Sequence, residues 1–207
     1  KFGMLVEQAH QVALNVLRPI SRKYDKAEHE YPKELDMLAS LLDGMNEGSP
    51  NGAGATSATG GSSNTNTSEI KNGANLSTVM GIIEMCWGDV GLLLAMPRQG
   101  LGNAAIAAVA NEEQLERFKG TWAAMAITEP GCGSDSAAIR TTATQDGDEY
   151  ILNGEKIFVT SGDRADSVVV WATLDKKLGR AAIKSFVVPK GTAGMKVERL
   201  EHKLGIK

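Results

Sequence analysis

Two periodicities divide the chain. Up to Gly120 the apolar residues recur at helical spacing, and from Thr121 they alternate in short runs separated by turns. Leu5, Ala9, Val12 and Val16, flanked by Met4, Val6, Ala13 and Leu17, form one broad face and predict a helix over 4–17, punctuated by Pro19. The interspersed charges of 22–30 read as a solvated face. Pro32 opens a second helix carrying Leu35, Leu38, Leu41, Leu42 and Met45. Leu76, Met80, Ile83 and Trp87 make a third stripe, with Val79, Ile82 and Met85 beside it, and 90–96 continue the apolar content to Pro97. Helical spacing accounts for the methionines and Trp87 as core packing. Residues 102–110 are alanine-rich and helix-compatible. Asn111 with Gln114 forms a capping-box pattern that opens a short helix to Phe118. The lone His10 and His29 read as structural.

The second half predicts strands at 121–127, 139–145, 149–152, 156–160, 167–174, 185–188 and 195–200. Asp146-Gly147 and Asn153-Gly154 are turn signals close enough to indicate consecutive antiparallel hairpins. Helices first and strands second argue an α+β chain.

Composition changes the picture at one place. In 44–75, Gly, Ser, Thr and Asn supply 22 of 32 residues, too few apolar groups to offset the entropy of ordering. This segment reads as a flexible loop, dispensable for folding. Elsewhere the chain is ordinary for a globular protein: 207 residues, 42% apolar, 23% charged, net charge −3. That charge gives no reason to expect nucleic acid or an anionic membrane surface as partner. The two cysteines, Cys86 and Cys132, form neither a disulfide framework nor a zinc pattern, and no metal site is expected. The apolar region 90–110 is interrupted by Pro97, Arg98, Gln99 and Asn103, so no membrane span is expected there. The chain begins at Lys1 and stops at Lys207 without a closing element, and both ends read as cut.

The candidate chemistry lies at 125–135, Met-Ala-Ile-Thr-Glu-Pro-Gly-Cys-Gly-Ser-Asp. An apolar run stops at a Thr-Glu-Pro corner, where Pro130 fixes its own φ and biases Glu129 to an extended conformation. Gly131 and Gly133 permit unusual backbone angles and close approach of a ligand. Thr128, Ser134 and Asp135 surround the exposed amides with hydroxyl and carboxylate groups. Such a corner suits an anion such as a pyrophosphate, and equally serves as an ordinary polar turn between strands.

A second stretch at 153–162, Asn-Gly-Glu-Lys-Ile-Phe-Val-Thr-Ser-Gly, lies a plausible distance downstream. The two together, in this order, resemble the paired signatures of the acyl-CoA dehydrogenase family. The resemblance covers most of the chain, with 44–75 a departure from the shorter connection usual there. It implies an N-terminal all-helical domain (1–120) followed by an antiparallel β-barrel domain (121–207), the latter lacking its last strands. A C-terminal helical domain has no counterpart in this sequence.

The resemblance also implies an FAD cofactor and the α,β-dehydrogenation of an acyl-CoA thioester, as in fatty-acid β-oxidation. By the same resemblance Met125, Ala126, Ile127 and Thr128 run along the isoalloxazine, and Phe158, Val159 and Thr160 pack on its other side. The Thr160 hydroxyl is the donor near N5. Gly133 and Ser134 meet the cofactor phosphates, and Ser134 also the acyl-CoA. Phe158 stands where the family commonly has Trp, which keeps a stacking surface and loses an indole N–H. Cys132 replaces a small alanine. Glu129 and Asp135 look like acid/base groups, but carboxylates beside a nest serve better to orient backbone. The family's catalytic base comes from the C-terminal domain, so no catalytic residue is expected within this chain, and the chain alone is expected to be inactive. The implied partners are an acyl-CoA, an electron acceptor such as an electron-transfer flavoprotein, and copies of itself as a dimer or tetramer, in a bacterial cytoplasm rather than a mitochondrial matrix. Two alternatives remain open. One is an oxygen-using relative, such as an acyl-CoA oxidase or a nitroalkane oxidase. The other is a non-catalytic, flavin-free subunit on the same fold.

Overall fold

The structure, a computed structural model, describes residues 2–46, 74–97 and 101–206. Most of the predicted loop 44–75 lies outside them; its margins are helical, residues 44–46 closing one helix and 74–75 opening the next. The chain forms two compact units.

The first unit holds 2–46, 74–97 and 199–206. Helix α1 (Phe2–Val12) passes through a π-turn at Ala13–Leu17 into α2 (Arg18–Lys26). Pro19 was expected to end the first helix. Instead the widened turn lies just ahead of it, and the proline occupies the start of α2, where its missing N–H costs least. Helices α3 (Glu34–Asn46) and α4 (Ala74–Ala95) follow. The core joins Leu17, Tyr24, Leu35, Leu38, Leu92 and Met96. Gly88 of α4 lies so close to Ala13 that a Cβ there would sit 2.9 Å from the alanine methyl.

Helix α4 breaks at Asp89, whose backbone is extended, and its carboxylate caps the restarted helix by accepting from the Leu92 N–H at 2.8 Å. By length and composition alone Leu76–Ala95 is apolar enough to cross a membrane. The charges inside it are held, however: Glu84 accepts from His10 Nδ1 at 2.8 Å, and Asp89 accepts from the Ser21 hydroxyl. The stripe predicted as core is only partly so. Leu76, Val79, Ile82, Ile83 and Trp87 are each roughly half exposed, while Met85 and Met96 pack inward. His10, read as structural, is partnered by Glu84 and lies against the Trp87 ring at 4.8 Å.

The second unit holds 101–198. Helices α5 (Leu101–Val109) and α6 (Glu112–Arg117), expected with the helical domain 1–120, belong here because Ile106, Leu115 and Phe118 pack on Ala123 and Val169 of the sheet. The Asn111–Gln114 capping box forms as predicted, with reciprocal bonds of 2.9 and 3.0 Å. Buried Asn103 clamps the sheet entrance by accepting from the Ala123 N–H and donating to the Thr121 carbonyl.

Five strands form one sheet: β1 (Ala123–Ala126), β2 (Thr142–Asp146), β3 (Glu149–Asn153), β4 (Ser167–Thr173) and β5 (Ile183–Pro189). The order is β1-β4-β2-β3, with β5 also on β4. The α+β class holds, and a closed antiparallel barrel is not seen among the described residues. β1 runs parallel to β4, and β2 meets β4 in parallel at Thr142–Thr173, so the sheet is mixed, and it does not close among the described residues. The 40 residues from Ile127 to Asp166 allow β4 to return alongside β1 in the same direction, which a tight hairpin cannot do. β2–β3 and β4–β5 are antiparallel; the first is the hairpin predicted at Asp146-Gly147, while the one predicted at Asn153-Gly154 does not form. The expected strands at 156–160 and 195–200 form no ladder.

Gly102 lies against the sheet with no room for a side chain: a Cβ would come within 2.4 Å of the carbonyl oxygens of Ala123 and Ala124. In an open helix Gly→Ala stabilises by about 1 kcal/mol. Gly102→Ala is instead expected to cost about 1–3 kcal/mol or more, because main-chain atoms cannot step aside. A lowered urea midpoint at unchanged slope checks this.

Candidate functional site

Small residues make β1 a thin, buried strand: Ala123, Ala124 and Ala126 are all 3% exposed or less. Ala124 and Ala126 pack with Ala165, Val168 and Val159, so the second motif already touches the first. Met125 is half-buried, as are Ile127 and Thr128, where the chain leaves the sheet. At Glu129 it closes a tight turn, Glu129 and Cys132 exchanging main-chain hydrogen bonds of 3.0 and 3.1 Å around exposed Pro130 and Gly131.

Of the two uses expected of the glycines, the unusual backbone angles are not made and the room for close approach is. Neither Gly131 nor Gly133 has a positive φ. What they provide is open space. A Cβ at Gly131 would meet nothing within 4 Å, and one at Gly133 would meet only the Thr128 methyl at 4.0 Å. Ser134 and Asp135 are exposed beside them.

The carboxylate of Glu129 turns inward, 5% exposed. Its Oε1 accepts from Lys156 Nζ at 2.7 Å, from the Thr141 hydroxyl at 2.6 Å and from the Thr141 N–H at 2.9 Å. Its Oε2 accepts from the Arg140 N–H at 2.6 Å. Burial pushes this carboxyl up, but the bonds from Lys156, Thr141 and the two main-chain amides outweigh it and hold the pKa lowered to about 2. Glu129 is therefore an ionised structural hub, far too acidic for a general base at neutral pH. It orients backbone, as its place beside the corner suggested.

Lys156 completes the join. Its side chain is 9% exposed, and besides Glu129 it donates to the Ile127 carbonyl at 3.0 Å. The next residue, Ile157, donates its N–H to the Thr128 carbonyl at 2.9 Å. The two motifs, roughly 30 residues apart in sequence, are thus stitched together at three atoms. Gly154 fits the same seam: a Cβ there would lie 2.3 Å from Thr141 Oγ1.

This stitching replaces the predicted strand at 156–160. Phe158 adopts φ +55° and is 60% exposed as a residue. A turn follows, with the Gly162 N–H donating to the Val159 carbonyl at 3.0 Å and Ser161 at φ +60°. The Ser161 carbonyl accepts from the N–H groups of Arg164 and Ala165. Thr160 lies exposed in that turn.

The structure thus brings Met125, Ala126, Ile127 and Thr128 into one neighbourhood with Phe158 and Val159. It leaves Gly133, Ser134 and Thr160 exposed around it. Sequence reasoning missed Lys156 and Thr141. A lysine between Gly154 and the apolar Ile157-Phe158-Val159 is the signal that could have found the first, since a charge in an apolar run needs a buried partner. Thr141 carries no comparable signal.

Residues 124–207 match the family described as acyl-CoA dehydrogenase, middle domain. Over 98% of its length the chain is 32% identical to the acryloyl-CoA reductase (NADH) of Anaerotignum propionicum, spanning 50% of that protein. Over 46% of its length it is 44% identical to the cyclohex-1-ene-1-carbonyl-CoA dehydrogenase of Geobacter metallireducens, spanning 26% of it. Among solved structures, butyryl-CoA dehydrogenase from Megasphaera elsdenii superposes with a TM-score of 0.71 at 28% identity, covering 99% of this chain and 52% of that one. The chain spans half the length or less of the curated relatives it matches.

Proposed function

The chain belongs to the acyl-CoA dehydrogenase family, and we propose that it forms part of an FAD-dependent oxidoreductase that removes the α and β hydrogens of an acyl-CoA thioester. The observation that carries this reading is the seam of Lys156 and Ile157 on Ile127, Thr128 and Glu129, which assembles both motifs into one surface.

The residues present fit a flavin. A flat ring system needs an exposed aromatic or apolar face, and Phe158 offers one next to half-buried Val159, which packs with Ala124 and Ala126. Phosphates need approachable main chain, and the space around Gly131 and Gly133 is open. FAD, when bound, supplies the acceptor for the β-hydrogen. In this reading the Thr160 hydroxyl would donate to that acceptor, Thr128 would hydrogen-bond the ring edge, and Ser134 would contact the phosphates and the acyl-CoA. Electrons leave to an electron-transfer flavoprotein. The protein works as a dimer or tetramer in a bacterial cytoplasm, and its catalytic carboxylate lies outside residues 1–207.

The test is a flavin titration of the 207-residue chain, read by quenching of flavin fluorescence, then anaerobic addition of acyl-CoAs of graded length. Uptake of FAD without substrate-dependent bleaching is expected. No uptake would contradict the flavin reading. Bleaching would contradict the placement of the base elsewhere and return attention to Asp135 and Asp163.

A further inference from the structure

Phe158 and Ser161 are non-glycine residues at φ +55° and +60°. An L-residue enters that region against the clash of its Cβ with the carbonyl, and it stays only where its surroundings over-determine it. Two anchors bracket the pair. Downstream lies the turn at Gly162, where a Cβ would come within 2.8 Å of Val159 Cγ1, and the Ser161 carbonyl with its two donors. Upstream lies Lys156, two residues before Phe158, whose ammonium is held by Glu129 Oε1 and the Ile127 carbonyl. Glu129 is itself fixed by Thr141 and Arg140. An extended course through 156–160, which the residue types favour, would carry Lys156 away from this buried carboxylate. The cation and carboxylate would then be left unpaired out of water, a far greater cost than one left-handed residue.

We propose that Glu129 and Lys156 are positioning residues: their buried pair forces Phe158 into the left-handed conformation and so presents its ring to the cofactor, a role that rests on the flavin reading given above.

The sign of one comparison reads the strain. At an ordinary position Ala is more stable than Gly, because glycine loses more backbone freedom on folding. At a left-handed position the order reverses. Phe158→Ala and Phe158→Gly both delete the ring, and only the second relieves the strain. In the otherwise unaltered chain Phe158→Gly is expected to melt roughly 2–4 °C above Phe158→Ala. In a Lys156→Met background the order should vanish or invert, because the upstream anchor is gone. If Lys156→Met yields too little folded protein, the double variant Glu129→Gln/Lys156→Met, which leaves no buried charge unpaired, provides the second background. A purely structural pair would lower both melting temperatures and leave their order unchanged, and that outcome overturns the proposal. So does an Ala variant that melts above the Gly variant in the unaltered chain.

A flavin titration of the same proteins reads the functional half. Lys156→Met is expected to weaken FAD binding at least about tenfold, as loss of a preorganised contact does. Unchanged affinity would remove the pair from any positioning role. If the unaltered chain takes up no FAD, the flavin reading fails, while the melting order still decides whether the pair imposes the strain.

Discussion

Glu129→Gln is expected to be among the most damaging single changes in this chain, lowering its stability by roughly 3–5 kcal/mol at neutral pH. The substitution keeps the shape and one oxygen. It removes the charge opposite Lys156 Nζ at 2.7 Å, and that ammonium then lies 9% exposed without a counter-ion. It also turns one acceptor into a donor, facing either the Arg140 N–H or the Thr141 donors. The same carboxylate ties stability to acidity. Its pKa falls from 4.5 to about 2 on folding. A depressed folded-state value stabilises the protein above the unfolded pKa and is lost as pH falls toward the folded one. The contribution is about 3 kcal/mol at neutral pH, present above roughly pH 5 and fading between about 4.5 and 2. Urea unfolding followed from pH 7 into acid should show a loss over that window in the unaltered chain and a flatter profile in Glu129→Gln. A variant within 1 kcal/mol of the parent, or an unchanged acid profile, would show that the hub is not a hub.

Thr160→Val in the full-length protein is expected to slow flavin reduction by on the order of 10²-fold or more, with acyl-CoA binding little changed. The side chain is exposed in the turn after Phe158, and valine keeps its β-branched shape, so stability should move by less than about 0.5 kcal/mol. On the flavin reading proposed above, what disappears is one donor near the place where charge changes during transfer. A group that acts only as charge develops affects the rate and not the binding. Stopped-flow reduction and substrate titration separate the two. Normal reduction with normal FAD content would remove Thr160 from the site.

The helices were readable from the spacing of their apolar residues, although the α4 stripe stays half exposed, and the capping box at Asn111 is a local device with local causes. The β2–β3 hairpin was readable for the same reason: Gly147, at φ +60°, makes its own turn. What could not be read was pairing at a distance. Nothing in Ala123–Ala126 states that it runs parallel to Ser167–Thr173, a partner more than 40 residues away, and the expectation of an all-antiparallel sheet failed there. The strand predicted at 156–160 failed for a related reason. Its β-branched and aromatic residues favour an extended course. The ion pair from Lys156 to Glu129 overrides that preference with an energy no local window contains. The candidate site was legible only as two motifs, while the atoms that join them, Lys156 Nζ, Thr141 Oγ1 and the Ile157 N–H, came only from the fold.

The claim that the two motifs form one flavin-holding surface is tested most directly by hydrogen–deuterium exchange of the 207-residue chain with and without FAD. Amides at 125–135 and 156–162 should gain protection together, at the same flavin concentration, while those of α1 and α2 stay unchanged. Protection of one motif without the other, or protection confined to residues outside both, would contradict it.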